Sequence, residues 1–334
     1  MRSVGYQPAE ALVVWVVSDG RAGVENQALG LAEAIERRAP VRRIIKRVQL
    51  RTPWRWMAPG LVPAPRQALS IGSDAIEPPW PDILIGCGRA SIPFSLGVRD
   101  WSRGRTFVVQ LQDPRMNPRE FDVVAPPSHD GLEGPNVISI VGACHRVTPE
   151  RIDQELLDFP TPLEDLPGPR LAVVIGGKSK RQNISAQRAR AIAEVMAQLQ
   201  RHTGGTLLAT LSRRTGEAAR MQLRTWLAPH CALYYEDERS GPNPYLAMLG
   251  AADHIFVTAD SVNMAAEAAS TGRPIHLLDV DGTPGKLRRF HDSLIERGCA
   301  RWFSGVLESW TYPPLLETDR VAAAVLAAWA ARAH

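Results

Sequence analysis

The 334-residue chain is 45% hydrophobic and 22% charged, which suits two folded domains and argues against a disordered or membrane-embedded protein. A net charge of +4 suits phosphate-bearing ligands or an anionic membrane surface and is too small to imply nucleic acid as a partner. The four cysteines lie far apart without a CxxC pair, so reduced thiols and a cytoplasmic protein are expected. The apolar runs at 11–17 and 321–331 are too short for a signal peptide or a membrane span, which leaves peripheral contact with the inner face of the cytoplasmic membrane as the membrane option.

Short β-branched runs alternate with helical periodicity along the whole chain, the pattern of parallel sheets wrapped by helices. Strands are predicted at 12–17, 44–49, 83–86, 107–111, 123–125 and 137–140, with a helix over 26–38 and another after Ser91. A helix at 149–158 and a proline-rich stretch then read as a linker, 146–170. The programme restarts with strands at 171–175, 206–211, 232–235, 254–257 and 275–278, separated by helices near 185–202, 216–226, 245–250 and 261–270. Helices at 286–297 and 319–333 close the chain. The expectation is an α/β protein of two Rossmann-like domains with parallel sheets facing across a cleft, 1–145 (joined by the terminal helix, 318–334) and 171–317. Ligands of doubly wound sheets sit beyond the carboxyl ends of the strands, so chemistry is sought in the loops there.

The strongest local signal is Gly176-Gly177-Lys178-Ser179-Lys180 at the end of a buried strand. Glycines let backbone N–H groups approach an anion, and two of the chain's four lysines stand beside them. The GxxxxGK[ST] spacing of a Walker A loop is absent. Ser212-Arg213-Arg214 occupies the equivalent place after the next strand, where two guanidinium groups can clamp a diphosphate. Thr258, Asp260 and Ser261 open a helix of small residues, either as an anion site or as an N-cap. Met264 and Glu267 lie further along that helix, and Glu267 either faces solvent or accepts hydrogen bonds from sugar hydroxyls.

In the first half, Asp19, Arg21 and Asn26 follow the first strand, and Gln112, Asp113, Arg115, His129 and Asp130 follow later ones. Asp19 and Asp113 are candidates for a general base, with turn-fixing as the alternative, and His129 beside Asp130 is open to acid–base or structural use. Scattered histidines give no metal motif, and Asp279-Val280-Asp281 is too short a pattern to imply one. Trp54 and Trp56 among arginines suit either a membrane headgroup layer or an ordinary packed edge.

Together these segments, with Asn243-Pro244-Tyr245, resemble the Elm-type family, named after a plant "elongated mitochondria" fission factor and common in bacteria. The resemblance runs in order through nearly the whole chain and implies a GT-B-like fold. The second half is also similar to the donor domain of GT-B transferases. There a glutamate in an Ala-Glu-Ala-like helix followed by Gly-x-Pro holds the donor, a pattern that falls here on Glu267 and Gly272-Arg273-Pro274, with Tyr245 near the base. The function expected is metal-independent, inverting glycosyl transfer from a nucleotide-sugar, a co-substrate rather than a cofactor, to a lipid-linked or other envelope acceptor. The alternatives are a non-catalytic scaffold in membrane or division processes and a nucleotide-sugar epimerase or hydrolase.

Overall fold

The computed structural model describes residues 11–179, 182–283 and 285–332. They form two compact units, one of the described residues up to Arg146 together with those from Leu316 on, the other of those within Val147–Leu315. In chain order the first unit carries β1 (Leu12–Ser18), α1 (Ala22–Glu36), β2 (Val41–Arg47), β3 (Ile83–Cys87), α2 (Ile92–Trp101), β4 (Phe107–Leu111) and β5 (Val123–Ala125). The second carries α3 (Pro149–Asp158), β6 (Arg170–Ile175), β7 (Gln182–Asn183), α4 (Ala186–Thr203), β8 (Thr206–Leu211), α5 (Glu217–Trp226), β9 (Cys231–Tyr235), α6 (Tyr245–Ala251) and β10 (His254–Thr258). It continues through α7 (Val262–Ala269), β11 (Ile275–Leu278), β12 (Asp281–Gly282), α8 (Leu287–Glu296) and β13 (Ala300–Trp302) before α9 (Glu317–Arg332) returns to the first unit.

The first sheet is parallel throughout, in the order β2-β1-β3-β4-β5. Its inner strands β1, β3 and β4 are buried on both faces because helices cover both, whereas the edge strand β2 is rich in arginine and lysine. Val14 and Val16 point into a cluster with Leu31 and Ile35 of α1 and Val321 and Val325 of α9, while Trp15 and Val17 meet Phe94 and Val98 of α2 on the other face. Polar ties hold α9 in place: Val141 N donates to Glu317, His145 N donates to Thr318 Oγ1, and Arg37 and Arg38 pair with Asp319.

The second sheet is also parallel, β13-β11-β10-β6-β8-β9. Its chain path leaves β6 toward β8 on one side and returns through β10 on the other, so the carboxyl end of β6 is a switch point. Two Rossmann-like parallel sheets are therefore present.

Several details differ from the sequence expectation. Residues 137–140 form no strand; Val137 and Ile140 make single bridges to Val124 and Pro127. Pro126 and Pro127 have no N–H to donate, so a regular ladder cannot extend there. α1 begins at Ala22, and the short β7, β12 and β13 carried too few residues to show periodicity. The helix expected at 149–158 is present as α3, and it packs on α6 within the second unit. Contact is close because Gly250 presents no side chain: a Cβ there would lie 2.8 Å from Ile152 Cγ2.

Candidate functional site

A cavity of about 750 Å³ opens in the second unit beyond the carboxyl ends of β6, β8 and β9. It is lined by Ser212 and Arg213, by the run 235–239, by Asn243, and by Tyr245, Met264 and Glu267 from α6 and α7. Within this lining the Tyr245 hydroxyl donates to Glu267 Oε2 at 2.7 Å. Burial pushes the Glu267 carboxyl up to about 7, opposed in part by the Tyr245 hydrogen bond and the charge of Arg151 on α3. Burial, then the neighbouring Glu267, raises the Tyr245 phenol well above its ordinary value. The pair is thus a hydrogen-bonding dyad whose carboxyl changes protonation near neutrality, able to accept from or donate to ligand hydroxyls.

The lining at Glu236 is held by a network that the sequence reading did not single out. Glu236 accepts two bonds from Arg224, at 3.0 and 2.6 Å, and one from Arg220 at 3.4 Å. Burial works to raise the Glu236 carboxyl, but the hydrogen bonds and charges of Arg224 and Arg220 outweigh it and the group lies below its ordinary value. Arg220 also donates to the carbonyls of Ser212 and Thr215, both at 2.9 Å, so one α5 side chain fixes the loop that presents Arg213.

The Gly-Gly loop is built differently from the sequence expectation. Gly176 N donates to Thr258 Oγ1 and Gly177 N to Asp260 Oδ2, both at 2.7 Å. These two N–H groups are consumed inside the protein, which corrects their assignment as anion donors. The glycines are required by crowding instead. A Cβ on Gly176 would fall 2.2 Å from Asp260 Oδ2, and one on Gly177 would fall 2.2 Å from Arg214 C and O. Asp260 is buried and ties the Gly177 loop to its own; burial raises its carboxyl, opposed by the Gly177 N–H. Lys178 N donates to Arg214 O at 3.0 Å, joining the two basic loops, while the Lys178, Arg213 and Arg214 side chains are exposed. Ser179 Oγ accepts from Gln182 N at the start of β7, and Ser261 is the N-cap of α7, accepting from Met264 N. Lys180 lies outside the described residues.

Of the second-unit residues singled out from sequence, the cavity gathers Ser212, Arg213, Tyr245, Met264 and Glu267. Gly176, Gly177, Thr258, Asp260 and Ser261 are not in its lining; they hold the neighbouring loops and the start of α7. Asp281 is occupied structurally: it accepts from Ser185 N at 2.8 Å and, with Asp279, pairs with Arg188. Among the described residues no group of three or more His, Cys, Asp or Glu side chains is arranged to hold a metal ion.

In the first unit, the expected residues lie along the carboxyl edge of the parallel sheet. Asp19 accepts the Arg21 N–H at 3.1 Å through Oδ1 and Arg21 Nε at 2.7 Å through Oδ2. Asp113 is engaged in the same way by Arg115, at 2.8 and 2.9 Å. Both carboxylates therefore have both oxygens committed to their own loops, which is the turn-fixing use rather than that of a free base. Gln112 Nε2 donates to Gln27 Oε1 at 3.1 Å, tying the β4 loop to α1. Asn26 is exposed on α1, His129 is buried and Asp130 half-buried on a single turn beyond β5. Trp56 is 68% exposed with the Arg55 guanidinium over its ring, and Trp54 is half-buried. No helix of the described residues is long and apolar enough to cross a membrane.

Two parallel Rossmann-like sheets in one chain, with a ligand-sized cavity at a switch point of the second, define a GT-B-like α/β protein, the fold shared by glycosyltransferases and epimerases. Solved structures with this fold include the UDP-GlcNAc 2-epimerase of Methanocaldococcus jannaschii, 10% identical, covering 95% of this chain and 100% of that one at a TM-score of 0.52. The glycotransferase of kitacinnamycin matches 96% of this chain and 91% of its own at 14% identity and a TM-score of 0.52. The sequence model of the family described as Mitochondrial fission ELM1 matches residues 22–329, and the chain belongs to that family. Among its relatives is the Mitochondrial fission protein ELM1 of Arabidopsis thaliana, 29% identical over 290 residues, 79% of this chain and 67% of that protein.

Proposed function

We propose that this protein is a metal-independent glycosyltransferase whose second unit binds a nucleotide-sugar donor. The observation that carries the reading is the Tyr245–Glu267 dyad in a cavity that also presents the exposed Arg213 guanidinium. A nucleotide-sugar needs a surface for the base, acceptors for its diol groups and a cation for its diphosphate. Tyr235 and Met264 offer the first, Glu267 the second, and Arg213, with Lys178 and Arg214 on the adjoining loops, the third. Positive groups held where a diphosphate leaves would stabilise the developing charge of the transfer step. Inversion of the sugar and an envelope-type acceptor remain part of this proposal.

The experiment is calorimetric binding of UDP, GDP, CMP and their sugar conjugates to the wild-type chain and to Arg213→Ala and Glu267→Ala. Saturable binding of one nucleotide class, weakened in both variants, supports a donor site and names the sugars to test for transfer. Product analysis then separates a glycosylated acceptor from the free sugar or epimer of a hydrolase or epimerase. Absence of binding across the panel refutes the donor site. Membership of a family described by mitochondrial fission favours, in that event, the reading as a non-catalytic scaffold.

A further inference from the structure

The carboxyl edge of the first sheet carries one arginine at the end of each of four neighbouring strands. In spatial order these are Arg47 ending β2, Arg21 after β1, Arg89 after β3 and Arg115 after β4. The path of the chain diverges between β1 and β3, so this edge is the switch point of the first sheet, the place where open α/β sheets receive ligands.

Three of the four guanidinium groups share one construction. Each is held by a carboxylate that is nearly covered while the guanidinium stands in solvent: Arg21 is 71% exposed against 15% for Asp19, Arg47 60% against 11% for Glu25, and Arg115 75% against 13% for Asp113. Glu25 grips Arg47 through both oxygens, at 2.8 and 2.9 Å. Arg21 and Arg115 are held through Nε, and their terminal nitrogens make no hydrogen bond to the described residues. A carboxylate so placed removes the rotational freedom of the guanidinium and aims its remaining N–H donors outward, the arrangement that suits bidentate binding of phosphate.

The loops that carry these arginines are joined. A Cβ on Gly20 would lie 3.4 Å from Arg47 Cδ, and one on Gly88 would lie 3.0 Å from Val24 Cγ1 of α1. Gln112 bonds Gln27 on the same helix, and Arg89 donates to the Met57 carbonyl at 2.6 Å. Gln112 and Arg115 both hold positive φ, +68° and +59°, a conformation costly for residues with side chains and found where a loop is kept in a fixed functional shape.

We infer that this arginine edge is a second anion site, which binds a phosphate- or diphosphate-bearing ligand in the first unit through Arg21, Arg115 and Arg47. Asp19, Asp113 and Glu25 are its positioning residues. The site stands on the geometry of the first unit alone; that its ligand is the phosphorylated acceptor of the transfer rests on the function proposed above.

The test uses the full wild-type chain, labelled with phenylglyoxal and read by peptide mass spectrometry with and without inorganic pyrophosphate. Labelling of Arg21 and Arg115 is expected to slow about tenfold under saturating pyrophosphate, while exposed Arg288 is unaffected. Vesicles of phosphatidylcholine with or without phosphatidic acid form the second arm. Protection by pyrophosphate marks a soluble phosphate ligand, and protection by phosphatidic acid vesicles alone marks a lipid-borne one. Unprotected Arg21 and Arg115 in both arms overturn the inference. Arg213 reports on the donor cavity in the same digest, so its protection without that of Arg21 and Arg115 refutes this site and leaves the donor site standing. As a second measurement, the double variant Arg21→Gln/Arg115→Gln should weaken pyrophosphate binding at this site by roughly 100-fold, about tenfold per guanidinium. Unchanged affinity and stoichiometry would count against the site.

Discussion

Replacing Glu267 by glutamine should make the protein more stable, and increasingly so as pH rises. Burial lifts the carboxyl from its ordinary 4.5 to about 7. The folded state therefore holds a proton that the unfolded chain has already released between those values. Stability from this group is fully present below pH 4.5 and is lost as pH rises through 7. At 1.36 kcal/mol for each factor of ten, the full cost of ionising Glu267 in the folded protein is about 3 kcal/mol. Most of it falls between pH 5 and 8. Glutamine keeps the shape, stays neutral and still accepts the Tyr245 hydroxyl, so the variant escapes this loss. Urea unfolding at pH 5 and pH 8 should show the advantage of Glu267→Gln over wild type growing by about 2 kcal/mol, which in thermal unfolding corresponds to roughly 4–8 °C for a unit of this size. A difference that is the same at both pH values would refute a buried, proton-holding Glu267. The same variant should bind a nucleotide-sugar less well, because stability is commonly sacrificed where a buried charge serves a ligand.

Gly177→Ala forces a Cβ against the Arg214 carbonyl and breaks the bond to Asp260; thermal unfolding should show a loss of about 3 kcal/mol, and an unchanged midpoint would mean that the loop is not crowded. His276 lies in an aromatic cage of Phe256, Phe303 and Trp310, with His254 Nδ1 at 3.2 Å, and burial lowers its imidazole to about 3. The unfolded chain takes up that proton first, so this group removes stability as pH falls from 6.5 toward 3; His276→Phe should flatten that acid limb relative to wild type in denaturant titrations. Arg220→Ala removes the support of the 212–215 loop and a partner of Glu236, and should cost about 2–3 kcal/mol together with at least tenfold in nucleotide affinity by calorimetry. Arg224→Ala, whose side chain bonds Glu236 and not the loop, should spare more of the affinity.

The strand runs and their alternation with helices were legible in the sequence because a strand buried on both faces must be apolar along its whole length, as in 83–87 and 171–175. Order along the chain also made the recurring loops at strand ends visible, and with them Arg213, while Tyr245 and the donor role of Glu267 came from the family resemblance. What those loops do was decided only by the fold. Gly176 and Gly177 carry the signature of an anion loop, yet their N–H groups turn inward because Thr258 and Asp260, more than eighty residues away in sequence, accept them. Asp19 and Asp113 have the spacing of ordinary turn residues, and it takes the sheet order to set Arg21 and Arg115 on one edge with Arg47. Nothing in the run around 236 predicts its arginine partners, which come from one face of α5, and nothing in 149–158 predicts that this helix backs the one bearing Tyr245. Local pattern fixes which segments bury apolar surface, a property each segment carries alone. The partner of a charge or a hydrogen-bonding group is set by which strands become neighbours, and that is a property of the whole fold.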